Sequence, residues 1–409
     1  MTNNSSASGA HLALWRRRDY MLLWGGQAIS TLGTGISQLA FPLLILAISH
    51  SPAAAGFASA LERVPYLLFS LLAGTLADRW PRKPVMLCCT LGLALCVLSV
   101  SVAFATNHLT LLHIYLVSFL IGTLGTFYDL TELAALAYMV PKEQLSAAVS
   151  QNEAVYSTNM LLAPSISGFL FKIAQSLPFL ADTVSYVALF VSLLFIRSPL
   201  QEKRTTAPQH LLVDVREGIH WLWQHRFLRF LALLSGYSNL LISGSVLIVL
   251  VIAQQHQISP AIVGLIFSIG GVGNIIGTVL TTPIERRFRM QRILPVTLLL
   301  FVLLWPFYGI ITTPLFLGLV VAGIAMPDSI YAILVVSYRF AEIPNELQGR
   351  VSSVFRLSIY GMLTIGLALI GASLQRFGVL ITVGWLWGGL VLLTILLPIQ
   401  IRRNGNASE

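Results

Sequence analysis

Charge is what this sequence lacks. Only 10% of its 409 residues are Asp, Glu, Lys or Arg, whereas about a quarter are charged in a soluble domain. Too few ionic groups remain to cover a soluble surface, and the 56% hydrophobic content with a mean hydropathy of +0.81 places the chain in a bilayer. Cysteine is scarce as well. Cys88, Cys89 and Cys96 fall in one apolar run without Cys-x-x-Cys spacing, which gives no disulfide framework or zinc site, and they read as small apolar packing residues. Catalytic signatures are missing too: no His-Glu-x-x-His, no phosphate-cradling Gly-rich Lys loop and no Gly-x-Ser-x-Gly occurs, and the eight histidines are scattered. A membrane enzyme is therefore disfavoured, and no cofactor or metal is expected.

What is present is a series of apolar runs long enough to cross the hydrocarbon core, which takes about 20 residues. Backbone groups in lipid must be satisfied within the segment, so the runs are expected to be helices. Twelve are predicted, at 20–48, 53–77, 84–105, 110–138, 150–173, 176–196, 227–253, 260–283, 293–311, 315–338, 351–373 and 378–399. The opening "MTNNSSASGAHLALWRRRDY" is polar and precedes an apolar stretch far longer than a signal-peptide core. It reads as a disordered tail before an uncleaved first span.

With the N-terminus inside, every Lys and Arg except Arg63, Lys172 and Arg376 falls in a cytoplasmic segment, which is 22 of the 25. The positive-inside rule then places both termini in the cytoplasm of a multi-pass protein of the inner (plasma) membrane. The same asymmetry accounts for the net charge of +9, and no nucleic-acid partner is needed.

The longest polar break, from Arg197 to about Arg226, divides the spans six and six. Its "LLVDVREGIHWLWQH" puts Leu211, Val215, Ile219, Leu222 and Trp223 on one helical face and Asp214, Arg216, Glu217 and His220 on the other. A helix lying on the inner membrane surface is expected, with a soluble linker helix as the alternative. The expected domains are a cytoplasmic tail 1–19, a bundle 20–197, a linker 198–225, a second bundle 226–400 and a tail 401–409.

A repeat spans this linker. "SPAAAGF" from Ser51 returns as "SPAIVGL" from Ser259, and the offset of 208 also pairs Arg18 with Arg226 and Arg79 with Arg287. Further on, "VPKE" at Val140 pairs with "IPNE" at Ile343, an offset of 203. Six spans is an even number, so both halves enter from the same side. The fold class predicted is all-α, with twelve transmembrane helices in two parallel-repeat six-helix bundles, a known plan for secondary transporters.

The densest charge lies in "GTLADRWPRKP", Gly74 to Pro84, between the second and third spans. Gly74 lets helices approach closely. Asp78 ends the second span and can accept hydrogen bonds from a helix N-terminus in the other bundle, while Arg79, Arg82 and Lys83 can hold that carboxylate or lipid phosphates. Such a contact would act as a conformational latch. Ordinary positive-inside charges would explain the three cations but not Asp78.

"GTLADRWPRK" resembles the Gly-x-Leu-Ala-Asp-Arg-x-Gly-Arg-Lys signature of the major facilitator superfamily, which lies in the same loop. "RDYMLLWGGQAISTLGTGI", "ALERVPYLLFSLLAGTLADRW", "REGIHWLWQHRFLRFL" and "IPNELQGRVSSV" are similar to the subgroup that holds bacterial macrolide-efflux and enterobactin-export proteins. The resemblance implies a drug:proton antiporter fold in which the loop latches the closed state. There are departures. Pro81 replaces the second Gly and excludes a positive φ, and in the second copy, "TPIERRFRMQR", Arg286 stands opposite Asp78. In "NMLLAPSISGFL", Pro164 and Gly168 keep part of the antiporter-associated Gly-Pro-x-x-Gly-Gly pattern, while Ala163 and Phe169 depart from it.

Ionisable groups inside spans are costly and mark functional sites. Glu62 lies about nine residues into the second span, roughly 14 Å deep at 1.5 Å per residue, and Asp328 is similarly central in the tenth. Both are candidates for proton coupling. Arg63, adjacent to Glu62, points about 100° away from it. Asp129 and Glu132 share one face of the fourth span near its inner end, and with Arg63, Gln27, Gln38, Asn239 and Asn274 they are candidates for the substrate cavity. Asp182, outside that cavity, is expected to make a structural hydrogen bond. The function expected is an exporter of amphiphilic small molecules (drug, macrolide or siderophore-like) driven by proton antiport, working as a monomer on a small-molecule substrate with protons in the bilayer. An importer or facilitator of a small solute, or a non-transporting receptor, is the alternative.

Overall fold

The computed structural model describes residues 14–198, 200–201, 211–344 and 347–405, and these are almost wholly helical, with no strand among them. Most of the N-terminal tail, the first part of the linker and the end of the C-terminal tail lie outside the described residues. The helices are α1 (Arg18–Ser49), α2 (Pro52–Arg79), α3 (Arg82–Ala105), α4 (Leu111–Met139), α5 (Lys142–Ile173), α6 (Leu177–Phe195), α7 (Leu211–Gln224), α8 (Arg226–Gln255), α9 (Pro260–Arg287), α10 (Met290–Leu304), α11 (Pro314–Glu342) and α12 (Gln348–Gly405).

α12 is two spans in one ladder. Gly378 sits inside it at φ 76°, a left-handed conformation that glycine adopts without a Cβ penalty, and this joint separates the predicted spans 351–373 and 378–399. Each of the twelve predicted runs thus falls within a helix or overruns it by no more than two residues, with a 3-10 turn at Trp305–Gly309 finishing the ninth. Nine helices among the described residues are long and apolar enough to cross a membrane, with α12 counted once. α2 and α5 are not among the nine; they carry Glu62, Arg63 and Asp78, and Lys142, Glu143 and Glu153, respectively.

The chain forms two compact units: residues 1–44 with 61–206, and residues 45–60 with 207–409. Helices in lipid gain little from the hydrophobic effect and associate by close packing and interhelical hydrogen bonds. In unit 1, α1 meets α6 through Gly26 and Gly33. A Cβ on Gly26 would lie 3.0 Å from Leu189 Cδ1, and one on Gly33 would collide with the Ser185 side chain. Ser192 Oγ donates to the Leu22 carbonyl along the same seam. Around it Leu44, Leu93, Val97, Val117, Phe171 and Phe179 form a buried core drawn from α1, α3, α4, α5 and α6.

Unit 2 uses glycine on α9. Cβ atoms on Gly273 and Gly277 would strike the carbonyls of Ala322 and Met326 on α11, so these two helices pack backbone to backbone. The linker helix α7 is seated on α12. A Cβ on Gly218 would lie 2.7 Å from the Arg350 carbonyl oxygen, and Arg350 pairs with Glu217. Trp221 stacks on His225 at 3.8 Å, while Trp223 is 68% exposed with the Arg229 guanidinium over its ring at 4.8 Å.

Candidate functional site

The interior of unit 1 collects the acidic side chains. α2 and α4 cross at Gly122, where a Cβ would collide with the Glu62 carbonyl, so the Glu62 backbone is pressed against α4. Glu62 and Arg63 are half-buried, with Arg63 Nη2 4.0 Å from Glu62 Oε1. Although neighbours on a helix diverge by about 100°, two long side chains bring their ends within ion-pair range. Arg63 is also within electrostatic reach of the exposed Asp129 on α4. Glu132, one turn further along the same face, is half-buried and interacts electrostatically with Asp129.

Asp182 on α6 is 1% exposed. It accepts a hydrogen bond from Ser185 Oγ at 3.1 Å and faces Gly33, where a Cβ would come 2.8 Å from its Oδ1. The same carboxyl senses Glu62. Four carboxyls on α2, α4 and α6 therefore share this unit's membrane-crossing segments with Arg63 and, at the far end of α5, Lys172.

Beside this group is a cavity of about 250 Å³ built wholly within unit 1, with Trp24 and Gln27 of α1, Glu132 of α4, and Asn152, Glu153 and Tyr156 of α5 in its wall. Gln27 presents its Oε1 to the Tyr128 hydroxyl at 2.7 Å. Trp24 Nε1 is buried and has no hydrogen-bond partner among the described residues. Among the described residues the wall thus offers two carboxylates, two aromatic rings and no cation. Sequence reasoning reached Gln27 and Glu132 but missed Trp24, Asn152, Glu153 and Tyr156. Glu153, an acid eleven residues into α5, was the available signal. Gln38, also on α1, is exposed.

In unit 2, Asp328 accepts from Ser238 Oγ at 2.7 Å, and one turn away the Tyr331 hydroxyl meets Ser235 Oγ at 2.9 Å. Both bonds join α11 to α8. Pro327 lies within α11 next to the carboxyl, where its missing N–H weakens the ladder locally. Asn239 turns back on its own helix, donating to the Ser235 carbonyl at 2.9 Å, and Asn274 on α9 is half-buried.

In the loop signature, the side chains of Asp78 and Arg79 and the surroundings of Gly74 lie outside what is described, although the backbone is helical through Arg79. Pro81 has φ −64°. Arg82 Nη1 donates to the carbonyls of Ala134 and Leu200, both at 2.9 Å. Lys83 Nζ donates to Leu194 at 3.0 Å and Ile196 at 2.7 Å. The last carbonyls of a helix have no partner within it, so Lys83 caps the end of α6 and Arg82 ties α4 to the segment after α6. The sequence does not reveal this bracing role.

A larger groove, about 740 Å³, runs along α7 and is lined by Arg216, Glu217, His220, Trp221, Trp223 and Leu347. It lies on the linker helix, within unit 2. Among the described residues no group of three or more His, Cys, Asp and Glu is placed to hold a metal ion.

Repeated apolar helices packed through glycine, with carboxyls at membrane depth and a polar cavity inside the helical unit, define the class of polytopic membrane transporters rather than enzymes. The sequence model of the Major Facilitator Superfamily matches residues 23–366, and the chain belongs to that family. It is 25% identical over 225 residues to macrolide efflux protein A of Streptococcus pyogenes, covering 54% of this chain and 55% of that protein, so the chain spans about half the length of this relative. It is 24% identical over 377 residues to the multidrug efflux pump Tap of Mycolicibacterium fortuitum, covering 89% and 91% of the two chains. The fold is that of the nucleoside transporter NupG, with a TM-score of 0.73 at 14% identity over 93% of this chain and 98% of that one. It is also that of a bacterial homologue of the iron transporter ferroportin in its inward-facing state, with a TM-score of 0.72 at 17% identity over 94% and 98%.

Proposed function

We propose that the protein is an exporter of amphiphilic small molecules that works by alternating access and is driven by proton antiport. The observation that carries this reading is the acidic interior of unit 1. Glu62 and Asp129 lie within electrostatic reach of Arg63, Glu132 of Asp129 and Asp182 of Glu62, and Glu132 lines a cavity with two carboxylates and two aromatic rings. Carboxyls at membrane depth are costly and are kept where protons or charged groups are handled. Aromatic faces with carboxylates suit an apolar body carrying a protonated amine.

Glu62 is the first candidate for the coupling proton and Asp328 the second. Gln27, Gln38, Arg63, Asp129, Glu132, Asn239 and Asn274 form the candidate cavity set, to which Trp24, Glu153 and Tyr156 are added. Asp78, with Gly74 and Arg79, is the proposed latch. Arg82 and Lys83 support it by fixing the ends of α4 and α6 next to that loop. The protein is proposed to act as a monomer, in two six-helix domains at 20–197 and 226–400, with both termini in the cytoplasm. The names of the efflux relatives favour export. Import stands as the second reading, because the same fold in a nucleoside transporter fixes no direction.

Counterflow tests transport itself. Purified protein in liposomes preloaded with an unlabelled cationic dye such as ethidium should draw in labelled dye above its outside concentration, and a receptor would not. Everted vesicles then give the direction: accumulation driven by an acid interior supports export, whereas its absence alongside active counterflow supports the importer reading.

A further inference from the structure

The turn between α1 and α2 is held at both ends by glutamines from elsewhere in unit 2. Gln254, in the last turn of α8, donates from Nε2 to the carbonyl of Leu46 at 3.2 Å, and the same nitrogen lies 3.0 Å from His50 Nδ1. Gln375, on α12, accepts at Oε1 from Ser51 Oγ at 2.6 Å and from the Ala53 N–H at 3.3 Å. Ser51 Oγ in turn accepts the Ala54 N–H at 3.1 Å. One glutamine thus serves a carbonyl at the end of α1, and the other serves an orphan N–H at the start of α2.

Below these bonds the two backbones touch. A Cβ on Gly56 would lie 2.5 Å from the Leu367 carbonyl oxygen and 2.8 Å from Gly371 Cα, and one on Gly371 would lie 2.6 Å from the Pro52 carbonyl oxygen. Leu367, Gly371 and Gln375 follow at i, i+4 and i+8, which is one face of α12. The glycine contact is backbone on backbone, so these surfaces can part without repacking a core. The glutamine bonds are the part that must break.

Hydrogen-bond chemistry decides which way round the Gln254 amide sits. A carbonyl can only accept, so the atom facing Leu46 O is the nitrogen, and its second hydrogen is directed at His50 Nδ1, which must then be unprotonated. His50 itself is fixed at φ 51°. Once protonated, the ring presents an N–H to an N–H. Turning the amide over would satisfy the ring but set Oε1 against the Leu46 carbonyl. Either way Gln254 loses one of its two bonds.

We propose that His50, Gln254, Ser51 and Gln375 form a proton-released clamp that holds the α1–α2 turn on unit 2 while His50 is neutral and lets it go when His50 is charged. Histidine is the side chain that changes charge near neutral pH. Besides His50, the charged or histidine side chains in segments 45–60, 245–265 and 365–385 are His256, whose Nδ1 lies 3.0 Å from the Ile252 carbonyl, and Arg376, whose guanidinium lies 5.5 Å over the Phe377 ring. Residues 45–60, 245–265 and 365–385 contain no Asp or Glu, so no carboxylate from these segments pairs with a charged His50. In an antiporter, such a clamp would open this end of the fold to the more acidic side.

The test is a distance measurement on the full chain in lipid nanodiscs, with Cys88, Cys89 and Cys96 replaced by serine and spin labels at the exposed Ile48 and Ile262. Electron–electron resonance should give one short distance at pH 8 and a second, longer population at pH 5.5. His50→Gln keeps a neutral acceptor and should hold the short distance at both pH values. Gln254→Leu should show the longer population already at pH 8. The clamp is overturned if the unsubstituted protein shows no pH response, if His50→Gln responds as fully as the parent, or if Gln254→Leu stays short at pH 8. The measurement needs no substrate, so its failure would leave the exporter reading standing.

Discussion

The Tyr128 hydroxyl donates to Gln27 Oε1 across 2.7 Å, tying α4 to α1. The same joint recurs between Tyr331 of α11 and Ser235 of α8 at 2.9 Å. Gln27 and Ser235 are 208 positions apart and Tyr128 and Tyr331 are 203 apart, the two offsets of the internal repeat. Each half thus keeps a tyrosine bridge at the same place, with a different acceptor side chain.

That bridge should be worth about 0.5–1.5 kcal/mol in each unit, the usual range for one intramolecular hydrogen bond and for polar contacts between membrane helices. Tyr128→Phe and Tyr331→Phe should each lower the thermal midpoint of the detergent-solubilised protein by a few degrees, and together by about the sum, since the two joints share no partner. Unchanged midpoints in both would mean that the hydroxyls exchange freely with water.

Glycine at two positions separates packing from mere permissiveness. Gly122→Leu should abolish folding, because its side chain would be driven into the Glu62 carbonyl, and overpacking against rigid backbone costs more than the typical 1–3 kcal/mol. A Cβ added at Gly25 would meet nothing within 4 Å, so Gly25→Ala should shift stability by about 0.5 kcal/mol or less. Yields from size-exclusion chromatography distinguish the two, and equal yields would contradict the close crossing of α2 and α4.

The spans were legible because bilayer thickness sets the length of every apolar run, and the repeat was legible because its matches fall in polar breaks that composition does not force. Glu62 stood out as an acid deep in an apolar helix. The second copy sharpens the point, since Gly270 occupies the equivalent position 208 residues on. What could not be read was which groups face each other. The convergence of Arg63 and Asp129, the braces from Arg82 and Lys83, and the capture of Ser51 by Gln375 depend on how helices distant in sequence pack, and no local period encodes that. Trp24 and Tyr156 were hidden for a simpler reason: an aromatic residue in an apolar helix carries no mark that distinguishes a cavity wall from a core.

Cysteine labelling tests the orientation inferred from the Lys and Arg asymmetry. In a background without native cysteines, a cysteine at Ser8 should be shielded from an impermeant thiol reagent in intact cells, whereas one at Asn107, in the turn between α3 and α4, should react. The opposite pattern would invert the protein and require a different account of the loop charges.

The latch and the brace next to it should fail differently. Asp78→Asn should leave insertion and thermal stability near those of the parent yet remove most transport, because the amide loses the charge-assisted part of a contact worth about 1–2 kcal/mol. Lys83→Met leaves the Leu194 and Ile196 carbonyls without their donor. It should lower stability by about 1–2 kcal/mol before it affects turnover. Normal transport in Asp78→Asn would reduce the loop to a topology signal.

Coupling is the sharpest test because Glu62 has two separable roles. As the proton carrier it must be able to release a proton when its surroundings open, and Gln can imitate the protonated form but never the released one. Glu62→Gln should then abolish uphill efflux in everted vesicles under a pH gradient while leaving downhill exchange of ethidium intact. As a structural partner of Arg63, 4.0 Å away, it would instead leave a half-buried guanidinium uncompensated when neutralised. Stability and both transport modes would then fall together. Arg63→Gln in the same background separates the cases, since it should restore stability only if the pair is structural. Uphill transport that survives in Glu62→Gln moves the coupling role to Asp328, whose Ser238 bond would remain with a neutral Asn. Survival in the double substitution Glu62→Gln with Asp328→Asn would exclude coupling through either carboxyl.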